Sequence, residues 1–212
     1  MARSQRATVD RLLQRYGTTY AEQAGIRLAD KPSPLYRLLV LATLLSTRIN
    51  ADIAVAAARE LSAAGHRTPR RMRDATWQQR VDALGRGHYR RYDESTATRL
   101  GDGAALVLDR HGGDLRRLRT AADGTRDVLA RLQEFPGIGP TGAAIFAREA
   151  QGVWPELAPF FDSKALDGAQ RTGLPRDPER LGDMVPATDH PRLAAALVRV
   201  ALDGSDDPLT DD

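Results

Sequence analysis

The chain has 212 residues, of which 42% are hydrophobic, and its formal net charge at pH 7 is +3. This length and hydrophobic share are ordinary for a soluble globular protein with a substantial core, and the small positive charge permits an anionic partner without requiring one. The absence of cysteine excludes disulfides, thiolate zinc sites, iron–sulfur clusters and cysteine nucleophiles.

Nearly every segment of the chain predicts a helix, and several begin at a recognisable cap. Ser33 before Pro34, and Thr68 before Pro69, pair a capping residue with proline at the first helical position, and Asn50 is a third candidate cap. No stretch alternates with period two, so the sequence predicts an all-α protein. The acidic end GSDDPLTDD is expected to fray. The predicted helical segments, in chain order, are SPLYRLLVLATLLST, NADIAVAAARELSAAG, TPRRMRDA, TWQQRVDALG, DESTATRLGDGAALVLDRHGG, TRDVLARLQEF, PTGAAIFAREAQG, DSKALDGAQRTG and HPRLAAALVRVALDG.

The segment EFPGIGPTGA, residues 134–143, predicts a tight hairpin between two helices. Glycine tolerates backbone angles that other residues avoid, and it lets a ligand approach the main chain. The amides of Gly137, Gly139 and Thr141 are expected to be unpaired at the positive end of a helix, which suits a phosphate. An ordinary helix–helix turn explains the same spacing about equally well.

Three features together resemble the endonuclease III-like branch of the helix-hairpin-helix (HhH-GPD) DNA glycosylases. They are the PGIG hairpin, Asp162 nineteen residues after Ala143, and the upstream segment LLSTRINAD, which begins at Leu44. GVWPELAPFFDSKAL is similar to the family's apolar approach to its catalytic aspartate, and the resemblance covers residues 35–172.

The resemblance implies a two-lobed, all-α protein. One lobe, residues 34–153, carries the LLS segment and the hairpin, and residues 1–33 plus 154–212 form the second helical lobe. Duplex DNA is expected to lie across the cleft between the lobes. The target nucleotide is flipped out of the duplex because its glycosidic bond cannot be reached inside the stack.

The family places its chemistry on the aspartate that matches Asp162. A carboxylate beside C1′ stabilises the positive charge that develops on the sugar and orients the attacking water. Capping the helix that follows is the alternative role for Asp162; the family context favours catalysis over capping alone, and the two roles are compatible. Lys164, two residues later, is either a replacement lyase amine or phosphate contact, or an ordinary solvated lysine.

The resemblance also implies which residues bind DNA. The hairpin residues Gly137, Ile138, Gly139 and Thr141 are expected to hold a phosphate, with or without a monovalent cation. Arg48, at the family's wedge position, and Asn50 are further DNA-binding candidates. Arg90 and Arg91 are also candidates, because they alternate with Tyr89 and Tyr92. That pattern suits either a nucleic-acid backbone and base or a solvated surface.

Several departures from the family pattern change the expected chemistry. Without cysteines the chain cannot hold the [4Fe–4S] cluster of many members, so no cofactor is expected. Thr141 stands where bifunctional members carry a lysine, and threonine cannot form a Schiff base. Two extra residues separate Trp154 from Asp162. No side-chain metal site is expected, since the four histidines (His66, His88, His111, His190) lack metal-ligand spacing.

These observations favour a monofunctional DNA glycosylase of base excision repair acting on double-stranded DNA that contains a damaged or mispaired base. The alternatives are a non-enzymatic helix-hairpin-helix DNA-binding protein and a bifunctional glycosylase/AP lyase using Lys164. No carboxylate lies between Leu35 and Ala51 to protonate a departing base, which favours alkylated purines or damaged pyrimidines over adenine opposite oxidised guanine. We expect the protein to be cytoplasmic and associated with the nucleoid, because neither a signal peptide nor a membrane-spanning run is apparent. We also expect a monomer.

Overall fold

The computed structural model describes residues 3–203, so the acidic end of the chain lies outside the described residues. Within this range the chain forms thirteen α-helices and no strand, which confirms the predicted all-α fold. The helices are α1 (Arg3–Tyr16), α2 (Tyr20–Gln23), α3 (Pro32–Leu45), α4 (Ala51–Ala63), α5 (Pro69–Asp74), α6 (Trp77–Arg86), α7 (Asp93–His111), α8 (Arg116–Thr120), α9 (Gly124–Leu132), α10 (Pro140–Ala150), α11 (Ser163–Arg171), α12 (Pro178–Gly182) and α13 (His190–Leu202).

Two of the three predicted caps are confirmed, and one is wrong. Asn50 Oδ1 accepts from the amide of Asp52 at 2.7 Å, and Thr68 accepts from the third amide of α5. The prediction of Ser33 as a cap fails because α3 already begins at Pro32, which suits a first helical position as well as Pro34 does. The Ser33 hydroxyl instead donates to the carbonyl of Arg67 at 2.9 Å.

The described residues form two compact units. Residues 21–146 make up one unit, and residues 3–20 with 147–203 make up the other. The unit boundary at 146/147 falls within α10. The predicted DNA-binding lobes, 34–153 and 1–33 with 154–212, stay a prediction, and residues 1–2 and 204–212 of the second lie outside the described range.

The unit of residues 21–146 is built around α3. Nine of the 14 residues of α3 are buried, so this helix is apolar on nearly every side, as expected of a helix in a core. It packs against α4, which contacts α6, and α7 packs against both α5 and α6. The LLS segment begins within α3, since Leu44 and Leu45 are the last two residues of the helix and Ser46 is its C-cap.

The other unit is organised by α13. This helix packs against α1 and, most extensively, against α11. Its buried face includes Leu193, Leu197 and Val200, and Trp154 is completely buried in the same unit. Because α11 begins directly after Asp162, the packing of α11 on α13 fixes the position of that aspartate. Across residues 3–203, no helix combines the length and the apolar character needed to cross a bilayer.

Candidate functional site

The predicted hairpin joins α9 to α10 and is held in place by buried side chains. Ile138 donates its amide hydrogen to the carbonyl of Phe135 at 3.0 Å, and both side chains are buried. Gly137 has a φ of 88°, a left-handed conformation that favours glycine. Ile138 therefore holds the turn in place through its side chain and its amide, while the glycines form the exposed surface.

The hairpin leaves several backbone groups without partners. Among residues 3–203, the amides of Gly137, Gly139 and Thr141 find no acceptor, and the carbonyls of Gly137 and Ile138 find no donor. These amides lie at the N-terminal end of α10, where the helix dipole favours negative charge. The turn thus offers donors to an anion and carbonyl oxygens to a cation.

Arg99 of α7 is an addition to the hairpin that the sequence did not indicate. A Cβ atom on Gly137 would lie 3.1 Å from Arg99 Cδ and 3.1 Å from Thr43 Cγ2, so both side chains lie against the turn. Arg99 is exposed and makes no hydrogen bond or ion pair within residues 3–203. An unpaired guanidinium therefore belongs to the same surface as the unpaired amides.

A hydrogen bond joins the loop after α3, which carries Arg48, to the loop after α6, which carries Arg90 and Arg91. The hydroxyls of Thr47 and Tyr89 are 2.7 Å apart, which ties the Arg48 loop to the loop that carries Arg90 and Arg91. All three arginines are exposed. Tyr89 is fully buried, so its ring offers neither a base-stacking face nor a solvated surface: the ring lies in the core, and its hydroxyl bonds to Thr47.

Asp162 caps α11, as one of its two predicted roles required. Its Oδ1 accepts from the amide of Ala165 at 2.9 Å. Its Oδ2 accepts from Arg148 Nη1 at 2.6 Å, and the side chains of Arg148 and Asp162 are only 3% and 12% exposed. Sequence reasoning missed Arg148 because it precedes Asp162 by 14 residues on another helix, a spacing that no motif marks.

Gln151 fixes the chain just before Asp162. Its side-chain amide donates to the carbonyls of Arg148 and Phe160, both at 2.9 Å. Its Oε1 accepts from the amide of Phe160 at 2.8 Å. This buried side chain therefore holds the segment leading to Asp162 against the end of α10.

Lys164 lies on the surface of α11. Its side chain is 49% exposed, and its ammonium nitrogen is 4.0 Å from Asp167 Oδ2. Asp167 also pairs with Arg176 at 2.9 Å. Lys164, Asp167 and Arg176 therefore form a small network of charged side chains on the surface.

No cluster of three or more histidine, aspartate or glutamate side chains in residues 3–203 is arranged to hold a metal ion. The chain has no cysteine, so the thiolate ligands of an iron–sulfur cluster are absent from the sequence itself. Any ion at the hairpin would be held by backbone carbonyls.

Comparison with known proteins identifies the fold. No protein-family model matches the chain, and no curated protein matches it in sequence. A non-covalent endonuclease III–DNA complex is similar in structure with a TM-score of 0.56, and a trapped covalent endonuclease III–DNA intermediate, an estranged-adenine complex, with 0.51. Each match has 16% sequence identity and covers 93% of this chain and 85% of the other.

The chain therefore has the helical fold of endonuclease III, the fold of the helix-hairpin-helix DNA glycosylases. The resemblance drawn from the hairpin, Asp162 and the LLS segment is confirmed at the level of the fold. At this sequence identity the likeness says nothing by itself about which reaction the chain performs.

Proposed function

We propose that this protein is a DNA glycosylase of base excision repair. The observation that carries the proposal is the carboxylate of Asp162, partly buried and hydrogen-bonded through both oxygens at the start of α11, in a chain with the fold of endonuclease III. The two endonuclease III structures described above are complexes with DNA, which supports DNA as the partner. The substrate is double-stranded DNA containing a damaged base.

The proposed reaction hydrolyses the N-glycosidic bond of a nucleotide flipped from the duplex. Departure of the base leaves positive charge on the sugar, and Asp162 stabilises that charge and orients the attacking water. Flipping is required because the bond is inaccessible inside the stack. Arg48, Asn50, Arg90 and Arg91 are proposed to contact the surrounding DNA.

The hairpin is proposed to bind a backbone phosphate. The unpaired amides of Gly137, Gly139 and Thr141 supply donors, and the unpaired guanidinium of Arg99 supplies charge. A monovalent cation held by the carbonyls of Gly137 and Ile138 is compatible with the same arrangement. Such contacts fix the register of the protein on DNA without reading its sequence.

Gly139→Leu tests the phosphate site without disturbing the fold. A Cβ on Gly139 meets no atom within 4 Å, so the variant should unfold at the wild-type temperature. The leucine obstructs the amides, and loss of charge-assisted hydrogen bonds should weaken binding to every DNA sequence about equally, by about tenfold. Fluorescence anisotropy with several unrelated duplexes measures this.

Ala63→Leu is the control, because it also places a leucine at an exposed position, at the far end of α4 from Asn50, and should leave DNA affinity unchanged. Arg99→Ala in the same assay should lower the slope of log affinity against log salt by about one. A sequence-selective loss in Gly139→Leu would instead indicate base contacts.

A second candidate function, DNA binding without catalysis, is favoured by one observation. Both carboxylate oxygens of Asp162 already have partners, Ala165 and Arg148, which a purely structural aspartate would also have. Incubation with lesion-bearing duplexes followed by alkali separates the two functions, since strand breaks appear only where a base was removed. The duplexes should contain alkylated purine, oxidised pyrimidine, uracil, and adenine opposite 8-oxoguanine.

The same panel tests the substrate class. Thr43, which lies in the stretch from Leu35 to Ala51 that contains no carboxylate, is buried and donates its hydroxyl hydrogen to the carbonyl of Leu39 at 2.9 Å. It cannot act as the acid that a neutral purine leaving group benefits from. We therefore propose release of alkylated purines or damaged pyrimidines, and preferential release of adenine would contradict this.

We expect no efficient strand cleavage by the protein alone. Thr141 cannot form a Schiff base, and the exposed Lys164 pairs with Asp167 on the surface of α11. Borohydride added during turnover should trap little or no covalent protein–DNA adduct, as judged by gel electrophoresis. Strong trapping that disappears in Lys164→Ala would instead establish a bifunctional lyase.

A further inference from the structure

Arg148 is a buried arginine whose side chain depends on Asp162. Among residues 3–203 its hydrogen-bonding acceptor is Asp162 Oδ2 alone, and its buried Nε donates to no acceptor. Buried polar atoms are normally satisfied, and an exception needs an explanation. The hydrogen bond to Asp162 is therefore the one side-chain hydrogen bond that Arg148 makes within residues 3–203.

Arg80 is a buried arginine of the same chain whose guanidinium donates several hydrogen bonds to backbone carbonyls. Its Nε donates to the carbonyl of Ala97 at 2.8 Å, and its Nη1 donates to the carbonyls of Met72 at 3.0 Å and Ala75 at 2.7 Å. Those carbonyls join α5, α6 and α7 without involving a carboxylate. Arg148 instead makes its hydrogen bond to a carboxylate, that of Asp162 at the start of α11, so its contact bears directly on the residue proposed to carry the chemistry.

The contacts around Asp162 leave its carboxylate in one orientation. Oδ1 is held by the amide of Ala165 and Oδ2 by Arg148, so rotation of the carboxylate breaks both bonds. The charge-assisted bond to the guanidinium is the stronger kind. Gln151 holds Phe160, two residues earlier, against the end of α10, so the backbone is fixed as well.

We infer that Arg148 is a positioning residue that fixes the carboxylate of Asp162 for base excision, an inference that rests on the proposed function. The guanidinium compensates part of the carboxylate charge, which by itself would weaken stabilisation of a cationic sugar. Orientation is the larger effect, because a misplacement of roughly 1 Å can cost about 10²-fold in rate.

The test compares Arg148→Gln and Arg148→Lys with the wild type on the lesion duplex that the wild type cleaves best. Three quantities are measured: the single-turnover rate of base release, the Kd for the lesion duplex and the unfolding temperature. The rate should fall about 10²-fold in Arg148→Gln and about tenfold in Arg148→Lys, which keeps the charge but loses the planar fork. The Kd should remain at the wild-type value in both variants.

Arg199→Met is the control for loss of a partly buried arginine in the same unit. Arg199 donates to the carbonyl of Tyr16 at 2.8 Å and lies 4.4 Å over the ring of Tyr20, with no contact to Asp162. Its loss should lower the unfolding temperature while leaving the rate of base release unchanged below that temperature. A structural role for Arg148 would make its variants behave in the same way.

The outcomes separate the inference from the proposed function. If the wild type releases no base from any duplex, the proposed function fails and the inference with it. If the wild type is active and Arg148→Gln releases the base at the wild-type rate, the inference alone is overturned. Arg148→Lys, which retains the ion pair, gives the same decision if Arg148→Gln does not fold.

Discussion

Asp162→Asn is expected to reduce base release by about 10²–10³-fold, the usual cost of removing one group that stabilises charge in a transition state. Asparagine caps helices as well as aspartate does, so α11 should still begin at the same residue. Its single oxygen can accept from Ala165 or from Arg148, whereas the carboxylate serves both. Single-turnover release from a lesion duplex, developed with alkali, measures the loss.

The same substitution should also destabilise the fold. Removing one partner of a buried ion pair leaves an uncompensated charge and typically costs about 3–5 kcal/mol; the side chains of Arg148 and Asp162 are 3% and 12% exposed. Denaturant unfolding measures this cost separately from the loss of activity. DNA affinity, measured where the variant is folded, should be retained.

Arg199→Met again supplies the control, because it destabilises the same unit without removing the carboxylate. If Arg199→Met retains base release and Asp162→Asn does not, the loss belongs to the chemistry. Near wild-type turnover in Asp162→Asn would show that Asp162 serves only to cap α11 and to pair with Arg148.

Local chemistry explains why most of the helices could be predicted from the sequence. A side chain that accepts from the first amides of a helix, as Asn50 and Thr68 do, acts within three residues of itself. A proline at the first position requires nothing from the rest of the fold. The Ser33 prediction failed because Pro32 and Pro34 both satisfy that local rule, and only the tertiary contact of Ser33 with Arg67 distinguishes them.

The two hairpin glycines look equivalent in sequence and differ in the structure. Gly137 has a positive φ, and a Cβ added there would lie 3.1 Å from the side chains of Arg99 and Thr43, so the fold itself favours glycine at this position. Gly139 has no positive φ and faces open space, so no contact within the described chain requires glycine. This difference makes Gly139 the better position at which to test binding.

Contacts between distant helices were beyond sequence reasoning. The sequence around Arg148 does not distinguish it from the other residues of α10. No neighbouring residue indicates that its side chain contacts Asp162. Tyr89 shows the converse: tyrosine beside two arginines is typical of an exposed loop, whereas this tyrosine is buried. Its burial depends on the packing of the surrounding helices, which no short motif encodes.

Gly168→Ala is expected to be the most destabilising single-methyl change in the unit that contains Asp162. A Cβ at Gly168 would lie 1.9 Å from the carbonyl oxygen of Leu197 and 2.7 Å from its carbonyl carbon. These are backbone atoms of α13, so the added methyl can be accommodated only if α11 and α13 move apart. Overpacking of this kind costs about 3 kcal/mol, measured as a lower denaturant midpoint.

Gly85→Ala, in α6, is the matched control, because its Cβ would meet no atom within 4 Å and its φ is not positive. There the same substitution should stabilise the helix by roughly 0.5–1 kcal/mol, since alanine loses less conformational entropy than glycine. Opposite signs in the two variants would attribute the loss at Gly168 to the close approach of α11 and α13. Because α11 starts directly after Asp162, we also expect Gly168→Ala to lower base release under folded conditions by about 10²-fold, as a misplaced carboxylate would. An unfolding midpoint equal to that of the wild type would show that the two helices separate without cost, and would remove the basis for expecting α13 to hold the aspartate in place.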